Sequence, residues 1–275
     1  MSLIPQNRAG PGIAFVLAGV LAISINDMLI KQLSGGYPLH EIVFLRSGIG
    51  ILFSLVLVQF EGGFSILKTR RPLLHALRGA LIVVSNMSYF VALAAIPLAD
   101  ATALFFAAPL FITLLSIPVL GEKVGPLRLG AVVVGFLGVI IMQRPWVEAE
   151  NLQASRLVLL LPVLSALTYA LNQLMTRKLG VDTKASALSV YIQATFIIVS
   201  LTFYAVAGDG RYAGTSDNAS VQFLLRAWVW PAAQDWWVLA GLGTNSAIIG
   251  YCLSQAYRMA DAATVAPFEY VGLPL

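Results

Sequence analysis

SINDMLIKQL at residues 24–33 and ALNQLMTRKL at residues 170–179 are two polar stretches that interrupt long apolar runs. Asn26 aligns with Asn172, and a basic residue follows five positions later in each stretch. Polar side chains inside apolar spans bind one another, a neighbouring helix or a ligand, because hydrocarbon offers them no partner. Their recurrence at matching positions indicates an internal repeat.

A second pair of segments matches in the same order along the chain. YFVALAAIPLADAT at residues 89–102 resembles YCLSQAYRMADAAT at residues 251–264 when one residue is deleted. This alignment pairs Tyr89 with Tyr251 and Asp100 with Asp261. Alanine-rich apolar sequences match easily by chance, but two pairs in one order support the repeat.

The composition is that of a protein that crosses a membrane several times. Of the 275 residues, 59% are hydrophobic and 11% are charged, whereas a soluble domain carries about 25% charged residues. Apolar runs of the roughly 20 residues that a helix needs to cross a bilayer recur along the whole chain. Their continuous apolar character excludes a transmembrane β-barrel, whose strands alternate in polarity. We predict an all-α polytopic membrane protein with spans at 12–34, 39–60, 74–96, 98–120, 126–143, 156–178, 184–206 and 236–258, and a ninth that begins near Asp261.

These spans divide into two units that would enter the membrane from opposite sides. Residues 1–145 hold five predicted spans and residues 156–275 hold four, with an extended outer loop at 207–235. Because five is an odd number, a second unit of the same kind starts on the other side of the bilayer, which gives an inverted-topology repeat. The count also predicts that a tenth span is missing and that the chain ends within the ninth.

The basic residues predict that the amino terminus lies in the cytoplasm. With that orientation the inner segments carry eleven Lys and Arg residues and the outer segments carry five, while Arg46 lies within the second span. Cytoplasmic segments are enriched in these residues. The inner set is Arg8, Lys68, Arg70, Arg71, Arg78, Lys123, Arg128, Arg177, Lys178, Lys184 and Arg258, and the outer set is Lys31, Arg144, Arg156, Arg211 and Arg226. All five tryptophans lie in or beside the predicted outer loops, as in an interfacial aromatic belt.

Four further segments carry a family resemblance that covers essentially the whole chain. They are PLHEIVFLR at 38–46, LADATALFFAAPLF at 98–111, GEK at 121–123 and ADAATVAPFEY at 260–270. With the repeat, they resemble the drug/metabolite transporter superfamily, specifically its ten-helix EamA-type branch with the YddG-like amino-acid exporters. The resemblance implies two inverted five-helix units, a central cavity formed mainly by helices 1, 3, 4, 6, 8 and 9, and passage of small metabolites without ATP hydrolysis. It also implies a bacterial inner membrane.

Four charged residues near the outer ends of the first two spans form a predicted structural network: Asp27, Lys31, Glu41 and Arg46. Asp27 and Lys31 are four residues apart with the acid first, which is the favourable order for an intrahelical pair. Asp27 and Arg46 both lie about 10 Å below the outer surface at 1.5 Å per residue, so they can pair across the hairpin. A direct role in binding substrate is the alternative.

Neutral polar residues deep in the spans are the candidates for lining a substrate path. An asparagine can both donate and accept hydrogen bonds, and a tyrosine can stack on an organic molecule or bond it. The alternative roles are bridging between helices for the amides and simple packing for the aromatics. The candidate substrate-binding residues are Asn26, Asn86, Tyr89, Asn172, Gln173, Asn245, Tyr251 and Glu269.

Glu269 is the strongest single candidate. It follows Asp261 by eight residues, which places it roughly 12 Å into the membrane at 1.5 Å per residue. No basic residue is evident in the sequence at that depth. Glu269 is predicted to bind an amino group, to carry a proton or to be a buried neutral acid.

Two features of the fourth and fifth spans predict local structure. FFAAP at residues 105–109 predicts an apolar wall and a bend, because Pro109 removes a backbone donor. Gly130, Gly135 and Gly138 predict a helix side small enough for close packing.

Transport is the function class that these observations favour. The chain has no paired intramembrane aspartates, no histidine pair at metal spacing and no phosphate-binding loop, so it lacks the residues of an intramembrane enzyme or an ATPase. We predict a secondary transporter or facilitator that exports neutral or aromatic amino acids by alternating access. Cationic drugs are the alternative cargo, and a membrane scaffold or channel subunit is the alternative class. No cofactor, metal or nucleic-acid partner is expected, and a monomer in the lipid bilayer fits the sequence.

Overall fold

A computed structural model describes residues 8–93, 95–143, 146, 156–214 and 219–272, and within these ranges the chain is helical without any strand. The helices are α1 (Ala9–Leu33), α2 (Leu39–Glu61), α3 (Pro72–Leu93), α4 (Leu98–Phe105), α5 (Ala108–Leu120), α6 (Pro126–Gln143), α7 (Arg156–Leu179), α8 (Ala185–Ala207), α9 (Ala219–Leu225), α10 (Trp236–Met259) and α11 (Ala262–Val265). Short 3₁₀ helices cover Phe64–Leu67, Ala233–Asp235 and Ala266–Gly272. The predicted all-α class is confirmed.

Seven segments of the described chain are long and apolar enough to cross a membrane. They are α1, α2, α3, the α4–α5 segment (Leu98–Leu120), α6, α7 and α8. The helix α10 is equally long at 24 residues, and it packs between α1, α2 and α8. The polytopic membrane class is therefore confirmed, and α10 ends one residue after the predicted eighth span at 236–258.

Proline and glycine mark where several of these helices begin and end. Pro38 precedes α2, and α3 and α6 begin at Pro72 and Pro126, where the missing N–H of proline has no helical partner to lose. Gly121 ends α5 with φ +70°, a left-handed conformation that glycine adopts without steric cost. These signals place the helix boundaries close to those predicted from the sequence.

The fourth span is broken instead of continuous. α4 ends at Phe105 and α5 begins at Ala108, so Pro109 occupies the first turn of α5. The amide of Ala107 bonds the carbonyl of Leu104, one residue tighter than an α-helical bond. The bend therefore lies two to three residues before Pro109, whose own ring fits the start of the new helix.

Helices from the two predicted units pack pairwise. α1 lies along α10, α3 along α7 and α2 along α8. In the predicted repeat, α1 corresponds to α7 and α3 corresponds to α10. The α1–α10 pair and the α3–α7 pair are therefore equivalent contacts, as an inverted repeat would produce. The unit boundaries at residues 1–145, 156–275 and 207–235 stay a prediction, and residues 147–155 and 215–218 lie outside the described chain.

The bundle has two ends, which we name by the chain. At the amino-terminal face, α1 and α3 begin and α2 ends, and the amide of Arg8 bonds the carbonyl of Met259 at 2.8 Å. At the opposite face, α1 ends and α10 begins, and the hydroxyl of Tyr37 donates to Asp235 at 2.6 Å.

Of the three glycines predicted to allow close packing, one lies at a close helix contact. A Cβ on Gly130 or Gly138 would meet nothing within 4 Å, and only Gly135 of that set approaches a neighbour, Leu110. α6 instead turns most of its surface outward. The tight contact is at Gly243 of α10, where a Cβ would lie 2.4 Å from the Cβ of Ile49.

Replacing Gly243 by valine is expected to destabilise the protein by roughly 1–3 kcal/mol, because α10 and α2 must separate to admit the side chain. Gly241→Val is the matched control, since a Cβ there meets nothing within 4 Å in the same helix. Thermal unfolding of the detergent-purified variants measures the difference. Equal losses in both variants would show that the α2–α10 contact does not limit stability.

Candidate substrate-binding cavity

A cavity of about 220 Å³ lies inside the bundle. Side chains from α1, α2, α3, α4, α7, α8, α10 and the 3₁₀ helix Ala266–Gly272 line it. The family resemblance implied predicted helices 1, 3, 4, 6, 8 and 9. In the structure these are α1, α3, the α4–α5 segment, α7, α10 and the segment that begins with α11. α2 and α8 also contribute, through Arg46 and through Gln193 and Phe196.

Asn26 and Asp27 form the polar part of the cavity wall on α1. The Asn26 Nδ2 atom donates to Asp27 Oδ1 at 3.3 Å. Asn26 is buried, and its Oδ1 atom has no hydrogen-bond partner among the described residues. An acceptor left open in this way can receive a donor from a molecule in the cavity.

The repeat partner of Asn26 lines the same cavity. Asn172 of α7 is buried and lies beside Gln173, and both reach the cavity. Asn172 Oδ1 has no hydrogen-bond partner within the described chain. The two asparagines that the sequence alignment pairs thus line one cavity, and each has a buried acceptor without a partner in the described chain.

Helix α3 contributes the predicted Asn86 and Tyr89. Asn86 donates to the carbonyl of Ile82 one turn earlier at 3.0 Å, and the Tyr89 hydroxyl shares a hydrogen bond of 3.0 Å with Thr102 of α4. The Tyr89 ring lies 5.3 Å from that of Phe105, measured between centroids. This side of the cavity is an aromatic wall with polar tips, which suits an organic molecule with an apolar body.

Glu269 lines the cavity from the 3₁₀ helix and is 6% exposed. Tyr169 donates to its Oε1 atom at 3.2 Å, and Tyr257 donates to the same oxygen. No described Lys or Arg forms an ion pair with it. The carboxyl group is therefore held by two hydroxyls, with its second oxygen outside that arrangement.

Two predicted residues lie elsewhere. Asn245 donates to the carbonyl of Ala22 at 2.6 Å and so bridges α10 to α1. Tyr251 donates to Glu61 at 3.1 Å near the amino-terminal face. Neither is among the residues that line the cavity. For Asn245 the alternative role of bridging helices describes its contacts.

The predicted network of four charges does not form. Asp27 and Arg46 both line the cavity and act on each other electrostatically, but within the described ranges no ion pair of 4.0 Å or less joins any of the four. Lys31 is exposed. Glu41 is buried at the opposite face, where it accepts from the amide of Val229 at 3.1 Å. The hydrogen-bond donor to Glu41 is thus a backbone amide and not the side chain of Lys31 or Arg46.

Sequence reasoning missed Arg78, which it had counted among the inner-loop cations. This residue of α3 is 3% exposed and lines the cavity. It also missed Thr102 and Gln193. Gln193 Nε2 donates to Ser246 at 2.9 Å, and its Oε1 atom is a third acceptor without a partner among the described residues.

A second cavity, of about 610 Å³, lies at the amino-terminal face and shares no lining residue with the first. Arg177 of α7 forms an ion pair of 2.7 Å with Asp261 and lies 3.9 Å from Glu122. Glu122 also accepts from the amides of Ala262 and Ala263, at 2.9 and 3.0 Å, at the start of α11. These three charged side chains, the amino-terminal latch, join α5, α7 and α11 one turn beyond Gln173.

Comparison with known proteins identifies the family. The model of the EamA-like transporter family matches residues 10–144. The riboflavin transporter of Rhizobium johnstonii is 30% identical over 274 residues, which cover 99% of this chain and 82% of that protein. The chain belongs to the EamA-like transporter family. The predicted drug/metabolite transporter superfamily is thereby confirmed, and the YddG-like subtype stays a prediction.

Other relatives of the EamA-like protein are also transporters. The S-adenosylmethionine uptake transporter of Rickettsia prowazekii is 28% identical and aligns over 95% of this chain and 80% of that protein. The pseudopaline exporter of Pseudomonas aeruginosa is 28% identical over 94% of this chain and 83% of that protein. A protein of known crystal structure has the same fold, with a TM-score of 0.71 at 18% identity over 95% of this chain and 84% of that one. The EamA-like protein is a membrane transporter of small metabolites and not an enzyme.

Proposed function

We propose that the EamA-like protein exports amino acids, or metabolites that contain an amino-acid group, across the bacterial inner membrane by alternating access. The observation that carries the proposal is the pair of open acceptors, Asn26 Oδ1 and Asn172 Oδ1, in one cavity with the carboxyl groups of Asp27 and Glu269. Such acceptors suit an ammonium group, and the wall around Tyr89 and Phe105 suits an apolar side chain.

The size of the cavity favours a small cargo. Its volume of about 220 Å³ is below the roughly 300–1,000 Å³ typical of pockets for drug-sized ligands. S-adenosylmethionine, the cargo named for the Rickettsia relative, itself carries an α-amino-acid group, so it is a large member of the proposed cargo class. Riboflavin lacks an amino-acid group, so it serves as the comparison compound that does not belong to the proposed cargo class.

The amino-terminal latch supports alternating access with the cytoplasmic side closed. The latch pairs Arg177 with Asp261, and the sequence repeat aligns these residues with Lys31 and Asp100. Both of the latter are exposed near the opposite face and form no ion pair within the described chain. In alternating access, the charged residues that close one face would be paired while the related residues at the other face are separated, and the arrangement would reverse in the other state. The cytoplasmic amino terminus remains part of the proposal, supported by the bias of basic residues.

Purified protein in liposomes tests the proposal directly. Labelled neutral and aromatic amino acids, S-adenosylmethionine and riboflavin would each be assayed for movement in both directions, against liposomes without protein. We expect amino acids to move faster than riboflavin. Failure of folded protein to move any amino acid or S-adenosylmethionine would refute the proposed cargo. The relatives include both uptake transporters and an exporter, so the assay in both directions is needed to assign the direction.

Asn172→Ala is expected to slow amino-acid transport roughly threefold to tenfold, because one hydrogen bond to the cargo is worth about 0.5–1.5 kcal/mol. The control is Thr202→Ala, which also replaces a polar residue by alanine but lies exposed on α8, where its hydroxyl bonds only the carbonyl of Ile198. Initial rates of uptake measure both variants. An unchanged rate for Asn172→Ala would remove this residue from the site.

A further inference from the structure

Arg78 occupies an unusual position for an arginine in a membrane protein. It is the seventh residue of α3, so it lies about 9 Å into the bundle from the amino-terminal face at 1.5 Å per residue. It is 3% exposed, and it lines the central cavity together with Ser254. A guanidinium buried at this depth needs compensation from its surroundings.

The protein partners of Arg78 are all neutral. Nε donates to Thr176 Oγ1 at 2.7 Å, Nη1 donates to the carbonyl of Leu188 at 2.9 Å, and Nη2 reaches Ser254 Oγ at 3.4 Å. A guanidinium has five N–H groups. Two are therefore left over, and the contact to Ser254 is at the long limit of a hydrogen bond. The two outer nitrogens are thus incompletely satisfied in a residue that lines the cavity.

The other two deeply buried arginines differ in this respect. Arg177 pairs with Asp261 and lies near Glu122, and Arg46 is stabilised electrostatically by Asp27. Arg78 has no carboxylate within 4.0 Å in the described part of the chain. It is the buried arginine whose counter-charge the described protein does not supply.

We propose that Arg78 binds the carboxylate of the transported molecule. The proposal rests on the proposed function and deepens it, since it restricts the cargo to compounds with a free carboxylate. The planar guanidinium matches a carboxylate with two parallel hydrogen bonds.

The surroundings of Arg78 also place the amino group of the cargo. Thr176, which accepts from Arg78, lies one helical turn after Asn172 on α7, so the two side chains are about 5–6 Å apart at Cβ. Asn172, whose Oδ1 atom has no partner in the described chain, is therefore the residue that we expect to accept from the adjacent ammonium group of an α-amino acid. Ile82, one turn after Arg78 on α3, offers apolar surface to the rest of the molecule.

The wild-type protein tests this assignment without any substitution. Transport of labelled L-phenylalanine into liposomes would be measured in competition with unlabelled L-phenylalanine, its methyl ester and phenethylamine. The ester masks the carboxylate and the amine lacks it, while both keep the ammonium group and the ring. We expect both to compete at least about tenfold more weakly than the acid, as is typical for the loss of a charge-assisted contact.

The outcomes separate this inference from the proposed function. If labelled L-phenylalanine is transported and the ester or the amine competes as well as the acid, Arg78 does not bind a carboxylate, although the transport proposal stands. If no amino acid of the liposome panel is transported, the proposed function fails, and this inference fails with it.

Arg78→Gln and Arg78→Lys give a second test. Glutamine is expected to weaken competition by L-phenylalanine about tenfold or more and to leave competition by phenethylamine unchanged. Lysine is expected to give an intermediate loss, because it keeps the charge without the planar fork. A purely structural role, through Thr176 and Leu188, would weaken recognition of both compounds equally and would overturn the proposal. Should the glutamine variant fail to fold, the lysine variant and the wild-type competition decide the question.

Discussion

Glu269→Gln is expected to slow amino-acid transport at least about tenfold while the protein stays folded, since hydrogen bonds to charged groups are worth about 1.5–3 kcal/mol. The carboxyl group lines the cavity and accepts from Tyr169 and Tyr257 through a single oxygen. Glutamine keeps an acceptor oxygen of similar size for these hydroxyls but removes the negative charge available to a cationic group or a proton. Initial rates in liposomes, with thermal unfolding as the check on folding, measure the effect.

Glu61→Gln is the matched control. Glu61 also accepts from a tyrosine, Tyr251 at 3.1 Å, and from Gln255 at 3.3 Å, but it lies outside the cavity, where α2 ends at the amino-terminal face of the bundle. The same exchange of acid for amide is expected to lower stability more than the transport rate. If Glu269→Gln transports at the wild-type rate, the negative charge of Glu269 has no part in transport, and its role is limited to packing and hydrogen bonding.

Arg177→Ala is expected to destabilise the closed state by about 1.5–3 kcal/mol, because it removes a charge-assisted hydrogen bond to Asp261 and the cation beside Glu122. The side chain of Arg177 is 3% exposed, and its ion pair to Asp261 measures 2.7 Å. Loss of the amino-terminal latch should favour the state that is open at the amino-terminal face. We expect lower thermal stability and slower transport, since alternating access requires both states to be populated.

Arg71→Ala provides the comparison on the same face. Arg71 pairs with Asp182 at 3.2 Å, but the two side chains are 46% and 57% exposed. Exposed pairs contribute about 0–1 kcal/mol, so this variant should resemble wild type. Equal effects of the two substitutions would mean that the buried latch does not hold the face closed.

The sequence predicted the helices and part of the cavity for identifiable reasons. Apolar runs and flanking prolines determine where a membrane helix can begin and end, and α2 and α3 follow those signals closely. The alignment of the two polar stretches pointed to Asn26 and Asn172, and both line the central cavity. Matching positions in related spans face related surroundings. Neither result needed knowledge of which helices touch.

Partner choice could not be read from the sequence. Lys31 and Glu41 had the right depth for a network, but depth does not show the direction of a side chain around the helix axis. Tyr251 turns to Glu61 because that carboxylate, at the end of α2, accepts hydrogen bonds at this face. Arg78 resembled a loop cation because arginines near helix ends usually extend to the interface. Only its contacts to Thr176 and other helices show that it lies inside.

The 3₁₀ helix that carries Glu269 has a geometric consequence. With three residues per turn, every third side chain points the same way, and the buried positions Ala266 and Glu269 alternate with pairs of more exposed ones. Gly272 follows in that row and also lines the cavity. The row that faces inward is therefore Ala266, Glu269 and Gly272. The carboxyl group of Glu269 thus lies between two residues that are too small to cover it. Inserting one residue between Ala266 and Glu269 would rotate the carboxyl group about a third of a turn away from the inward row, although the side chain itself would be unchanged.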